Sequence, residues 1–137
     1  MNKKFNSYKD FGKQFKIYND FNGNFGNKKT IEYYIKPFDL KKIKKKTILD
    51  IGAGTGRITK NLLKFKPSKV YLLEPSEAID VAKKNIKNQK VVYLNYKGEK
   101  LDYKNKFDYI FSIGVLHHTP NIKIILEKAL NALKPNG

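Results

Sequence analysis

The 137 residues contain no cysteine and no tryptophan. The first absence excludes disulfides, zinc-thiolate sites and cysteine nucleophiles together. Long hydrophobic runs are missing too, and nothing approaches the roughly 20 apolar residues of a membrane-spanning helix. The N-terminus, MNKKFNSYKD, carries basic residues with no apolar stretch behind them, so it does not read as a secretory signal. The expected location is the cytoplasm. Arginine is scarce as well. Of 29 basic residues only Arg57 is arginine and the other 28 are lysine; against 12 acids this gives a formal charge of +17. Such a charge invites a nucleic-acid reading. Arginine, however, is the side chain that grips phosphates and guanines bidentately, and a dedicated nucleic-acid surface would use more of it. Lysine is abundant together with asparagine and isoleucine, 14 of each of the last two, as an AT-rich coding sequence would produce. The charge therefore reads as surface composition, and no specific nucleic-acid partner is expected.

What is present suits a globular chain. Hydrophobic residues make up 40%, with nine Phe and nine Tyr. That is enough for one domain burying about two-thirds of the surface its unfolded form exposes. Four short apolar runs stand out, at residues 47–51, 70–73, 91–94 and 109–113. They are continuous rather than alternating, which suits strands of a parallel sheet covered on both faces. Three helical patterns alternate with them. Ile58, Leu62 and Phe65 form the first; Ser76 is a candidate cap before Ala78, Ile79, Ala82 and Ile86 in the second. The third follows Pro120 and Asn121, with Ile122, Ile125, Leu126, Ala129, Leu130 and Leu133 on one stripe. The alternation predicts βαβ units and an open α/β sheet with right-handed crossovers.

Residues 1–46 read as a separate N-terminal helical segment. Phe5, Tyr8, Phe11 or Gly12, Phe15 and Tyr18 fall at helical spacing. An Asn/Gly-rich turn follows at 22–27, then a helix over 30–36 that Pro37 ends. The aromatic stripe either packs against the next element or forms a lid over a site, and one segment could do both. The basic run 41–46 reads as a solvated linker face, with phosphate binding as the alternative. There are no internal repeats.

The chemistry concentrates in residues 48–57, Ile-Leu-Asp-Ile-Gly-Ala-Gly-Thr-Gly-Arg, which join the first strand to the first helix. Glycine lets a ligand approach the backbone without a Cβ in the way, and the helix N-terminus that follows offers free amide donors. A dinucleotide fingerprint starting at Gly52 would need glycine at position 57, which is Arg57. The glycines instead stand at Gly52, Gly54 and Gly56, and no G-K-[ST] follows to make a Walker loop. Asp50, two residues before the first glycine, suits an ammonium group better than a pyrophosphate. Glu74, directly after the second strand and before Pro75, is placed to accept hydrogen bonds from both hydroxyls of a ribose. The expected ligand has an adenosine-like ribose and a cationic, amino-acid-like end.

These residues resemble the class I S-adenosylmethionine-dependent methyltransferase family, in particular its type 11/12-like domains. The likeness continues at 107–120, FDYIFSIGVLHHTP, similar to the family's fourth strand and following loop, and at 132–137, ALKPNG, similar to the turn before its fifth strand. Phe11-Gly12-Lys13-Gln14-Phe15 is similar to a stretch in some bacterial members. The resemblance implies a Rossmann-like doubly wound α/β sheet, of which the chain supplies the first four strands in the order 3-2-1-4 of a seven-stranded fold. It divides the chain into the N-terminal segment 1–46 and a partial cofactor-binding domain 47–137. It implies S-adenosyl-L-methionine as cofactor, with Gly52, Ala53, Gly54 and Gly56 along its methionine part and Asp50 near its amino group. Glu74 and Pro75 would hold the ribose, Gly98 and Glu99 would flank the adenine, and Ser112 and Ile113 would pass under the amino end. Many members place an aspartate after the third strand; this chain aligns a lysine there and leaves Glu99 as the adenine contact.

His117 and His118 are adjacent and cannot easily face the same way, and further metal ligands are absent. One histidine is expected to pack and the other, His118, to stand at the substrate mouth as the candidate catalytic group. The resulting reading is a methyltransferase acting on a small molecule or on a glycan or lipid precursor. The alternatives are an RNA or protein methyltransferase, or a cofactor-binding scaffold without turnover. With only four strands, the chain is expected to be a C-terminally truncated fragment, inactive alone and prone to pair through its fourth strand.

Overall fold

The computed structural model describes residues 7–17 and 27–137. Among the described residues the elements run α1 (Ser7–Ile17), α2 (Lys28–Tyr34), β1 (Thr47–Ile51), α3 (Arg57–Leu63), β2 (Lys69–Leu73), α4 (Ala78–Asn85), β3 (Val91–Leu94), β4 (Tyr109–Phe111) and α5 (Ile122–Ala132). Three 3-10 turns, Leu40–Ile43, Gly98–Lys100 and Leu116–His118, lie between them. Phe5, Tyr18 and positions 22–26 of the expected Asn/Gly-rich turn fall outside the described residues.

The strands form one parallel sheet in the order β3-β2-β1-β4. Each apolar run divides its side chains between two cores, because successive residues of a strand point to opposite faces. Ile48, Val70 and Leu72 join Ile31, Leu40, Ile43, Leu62, Ile79 and Ala82 on one face. Leu49, Ile51, Tyr71 and Leu73 meet Leu101, Phe107, Ile125 and Ala132 on the other. Both faces are covered, so the strands cannot alternate with polar residues as a half-exposed strand does.

The fourth strand is shorter than expected, Tyr109–Phe111 rather than 109–113. It stands at the sheet edge and pairs only with Ile48, Leu49 and Asp50 of β1. Beyond Phe111 the chain leaves the ladder and turns at Gly114, whose φ is +72°. Just before β4, Leu133 bridges Phe107 in parallel: the Phe107 amide donates to the Ala132 carbonyl at 3.0 Å and the Lys134 amide to the Phe107 carbonyl at 2.9 Å. The expected stripe on α5 is only partly covered: Ile125 is buried and Ala129 and Leu133 are half-buried, whereas Ile122, Leu126 and Leu130 are exposed.

Helix starts follow local chemistry. Asn27 caps α2 by accepting from the Thr30 amide at 3.0 Å. The α2 helix ends at Tyr34, two residues before the expected boundary. The Ser76 hydroxyl accepts from the Ala78 amide at 3.2 Å, although Glu77 holds the N-cap position of α4. Leu40 and Ile43 are buried between exposed lysines, so the basic run is a turn anchored by two apolar residues. Among the described residues no helix is long and apolar enough to cross a membrane.

Candidate functional site

At the carboxyl ends of β1 and β2 the chain opens a cavity of about 1040 Å³. This is the end of a parallel sheet where open α/β folds bind their ligands. Its volume is at the upper end of what small-molecule sites occupy. Ala53, Gly54, Thr55, Glu74, Pro75, Ser112, Ile113 and His118 all line it, as does Gly52.

The loop after β1 is pinned from below. The amides of Gly52 and Ala53 both donate to the Leu73 carbonyl, at 2.8 and 3.1 Å. From the side, the Gly54 amide donates to Glu74 Oε2 at 2.8 Å, and the Ser76 amide donates to Oε1 at 2.9 Å. Glu74 is 6% exposed. A carboxylate has about four lone-pair sites, so each oxygen retains one for a further donor. The Asn95 side-chain Nδ2 donates to the Glu74 carbonyl from β3's end at 2.9 Å.

The three glycines differ in what they do. Gly54 has φ +55°, and a Cβ there would point at the Phe15 ring of α1, 3.4 Å away. The aromatic stripe thus brings Phe15 over the loop and into the cavity wall, while Gly12 lets α1 approach Ser76 and Glu77. At Gly52, φ +73°, a Cβ would fall 2.2 Å from Val115 Cγ1. Gly56 does not line the cavity; its φ of +87° and a Cβ only 2.6 Å from Ile86 Cδ1 make it the residue that lets α3 start against the end of α4.

Asp50 lies behind the loop, 1% exposed and off the cavity lining. Its Oδ2 accepts the Thr59 hydroxyl at 2.7 Å. Burial pushes its carboxyl up to about 6; the Thr59 hydrogen bond opposes this and the nearby Glu74 charge adds to it. The folded chain therefore holds this proton more tightly than an unfolded one does. Stability should fall as pH rises from about 4 to about 6, and the penalty is fully present above that. Asp50→Asn keeps an acceptor for Thr59 and removes the buried charge. Its melting temperature is expected to exceed the native chain's near pH 7.5 and to match it near pH 4. Equal melting temperatures at both would contradict the upward shift.

Besides Gly56 and Asp50, two further expected contacts fall off the lining. Gly98 and Glu99 do not line the cavity. The 3-10 turn that holds them packs under α5, where a Cβ on Gly98 would meet Ile125 at 3.1 Å, and one Glu99 oxygen is buried without a hydrogen-bond partner. At 3.1 Å a Cβ would press on the Ile125 side chain, so glycine eases the approach of α5 to this turn. The histidines also differ from expectation. His118 is exposed and lines the cavity, but His117 is exposed too, with its ring centroid 3.8 Å from that of His118.

Sequence reasoning missed several lining residues. Thr55 is 2% exposed, and its hydroxyl has no partner. Tyr34, Ile35 and Phe38 reach the cavity from α2 and the segment after it, and Phe38 packs against Tyr109 and Phe111 of β4. The aromatic richness of this stretch was visible; its meeting with β4, some 70 positions later, was not. Among the described residues there is no cluster of His, Cys, Asp and Glu fit to hold a metal ion.

A family model described as a methyltransferase domain matches residues 49–137. The chain belongs to that family. The match starts inside β1 and takes in the glycine loop, Glu74 and both histidines. This methyltransferase-family domain is 32% identical over 106 residues to a tRNA U34 carboxymethyltransferase of Ruthia magnifica, covering 72% of this chain and 32% of that one. It is 31% identical over 113 residues to a ubiquinone biosynthesis O-methyltransferase of Pelagibacter ubique, covering 77% and 47%. The chain thus spans about a third to a half of the length of these relatives. Among solved structures, an S-adenosylmethionine-dependent methyltransferase from Mesorhizobium loti superposes with a TM-score of 0.69 at 20% identity, over 84% of this chain and 51% of that one. One from Leishmania major superposes with a TM-score of 0.62 at 28% identity, over 78% and 45%.

Proposed function

We propose that this chain binds S-adenosyl-L-methionine in the cavity above β1 and β2 and serves methyl transfer to a small-molecule acceptor. The observation that carries the proposal is the buried Glu74 carboxylate, hydrogen-bonded to the Gly54 amide, with one acceptor site left on each oxygen. Those two sites suit the paired hydroxyls of a ribose. The bare backbone at Gly54 and the unpartnered Thr55 hydroxyl leave room and a donor for an amino-acid end. Asp50 acts from beneath as a negative charge favouring an ammonium group, and Ser112 and Ile113 close the far side.

When bound, the cofactor supplies a methyl group on a positively charged sulfur, already strongly electrophilic. The chain's own residues then have to hold the partners aligned and exclude water. Phe15 and Pro75 provide apolar cover. His118, at the cavity mouth, is the group placed to take a proton from an acceptor that is protonated near neutral pH. His118→Gln is expected to lower methyl transfer about a hundredfold or more while leaving S-adenosylhomocysteine affinity unchanged. An unaltered rate would remove the histidine from the mechanism.

Calorimetry tests the cofactor reading directly. Heat with S-adenosylmethionine and S-adenosylhomocysteine, and none with NAD, is expected; the reverse pattern would overturn it. An acceptor in RNA is the second reading, favoured by the likeness to the tRNA-modifying relative. A lysine-rich surface with one arginine should give weak, sequence-blind and steeply salt-dependent RNA binding. Tight binding of a single RNA that survives about 0.2 M salt would put the second reading first.

A further inference from the structure

We infer that the acceptor is an uncharged, apolar molecule bearing an aromatic or similarly flat ring, docked on the wall made by Tyr34, Phe38 and Tyr109. The inference rests on the functional reading above and extends it to the class of acceptor. The cavity's polar groups are unevenly placed. Glycine-loop amides, the Thr55 hydroxyl and the Glu74 carboxylate gather at the ends of β1 and β2. Elsewhere the lining carries packed rings. Phe38 meets Tyr109 edge-on with centroids 5.1 Å apart, and meets Phe111 at 6.0 Å. Edge-to-face packing of this kind leaves ring surface for a further flat partner, which aromatic pairs accept in offset or tilted geometry. Tyr34 also lines the cavity and is 53% exposed.

Charge supports the same class. Lysine accounts for 28 of 137 residues, yet no described lysine lines the cavity. A wall that leaves Tyr34 half exposed to solvent is open to the lysine bias seen elsewhere on the surface, and it does not carry it. Lys42 reaches the Phe38 ring, 5.9 Å from its centroid, from outside the lining. Among the described lining residues the fixed positive charge is Arg57, in the first turn of α3 beside the glycine loop. A phosphate or carboxylate laid on the ring wall would lack the charge-assisted donors such groups require. An uncharged ring loses nothing there and gains apolar contact.

The test uses the whole chain saturated with S-adenosylhomocysteine and titrated with 2-naphthol or with uridine 5′-monophosphate. Naphthol is expected to bind the saturated chain, and the nucleotide is expected not to at the same concentration. Tyr34→Ala removes a half-exposed ring without touching the buried core. It should weaken naphthol binding about two- to tenfold and leave S-adenosylhomocysteine affinity unchanged. Naphthol displaced by S-adenosylhomocysteine, a nucleotide that binds better, or naphthol affinity untouched by Tyr34→Ala would each overturn the inference. Failure of the native chain to bind S-adenosylhomocysteine at all would instead sink the cofactor reading, and this inference with it.

Discussion

Gly54→Val is expected to remove S-adenosylhomocysteine binding, by at least about a hundredfold, while the chain still folds. Three effects act in one direction. A β-branched residue at φ +55° occupies a backbone region that such residues almost never adopt. Its Cβ would sit 3.4 Å from the Phe15 ring, and the two methyl groups beyond it would have to displace that ring or enter the cavity. The Gly54 amide would also be drawn off Glu74 Oε2. Overpacking alone costs about 1–3 kcal/mol, and the rest comes from a ligand meeting carbon where it needs bare backbone. Cofactor affinity measured by calorimetry, with a thermal melt beside it, gives the answer. A folded valine variant that binds like the native chain would move the site away from this loop.

The second large effect is expected at Glu74. Replacing it with alanine should cost about 2–4 kcal/mol of cofactor affinity, since hydrogen bonds to a charged group contribute about 1.5–3 each and these share one carboxylate. Ground-state stability should fall as well. The carboxylate is 6% exposed and satisfies two buried amides, those of Gly54 and Ser76. Each amide left unpaired costs about 1–3 kcal/mol. Glu74→Gln should fall between: one carbonyl oxygen can keep one amide, while the new NH₂ group opposes the other. The expected order of both melting temperature and affinity is Glu, Gln, Ala. Alanine binding as tightly as glutamate would show that the acid after β2 serves the loop alone.

These two positions also mark how far residues could be read without coordinates. The G-x-G-x-G spacing and an acid directly after the second apolar run are local patterns, and each has a local physical cause. Glycine is needed where φ is positive and a ligand approaches, and the strand's end dictates where the acid stands. Both were legible. That Glu74 spends two lone pairs on the Gly54 and Ser76 amides was not, because it depends on how the β1 and β2 loops meet. Gly56 and Gly98 carry the same lesson. Each looked like a ligand contact by its place in a motif, yet Gly56 has a positive φ and a Cβ there would fall 2.6 Å from Ile86, and Gly98 packs under Ile125.

The sequence by itself determined the class and the element order. Continuous apolar runs require a sheet covered on both faces, and β1 and β3 fall at the expected residues, with β2 one residue longer. Hydrophobic periodicity and glycine spacing act over a few residues, so they survive in the linear order. Tertiary structure alone decided the rest. It shortened β4, which has one neighbour on its ladder, and left half of the α5 stripe exposed. It sank Asp50 beneath the loop, where burial rather than a partner controls its charge. And it brought Phe38 against Tyr109 in a cavity that Tyr34 also lines, a wall no window of sequence contains, because packing joins residues by distance in space and not along the chain.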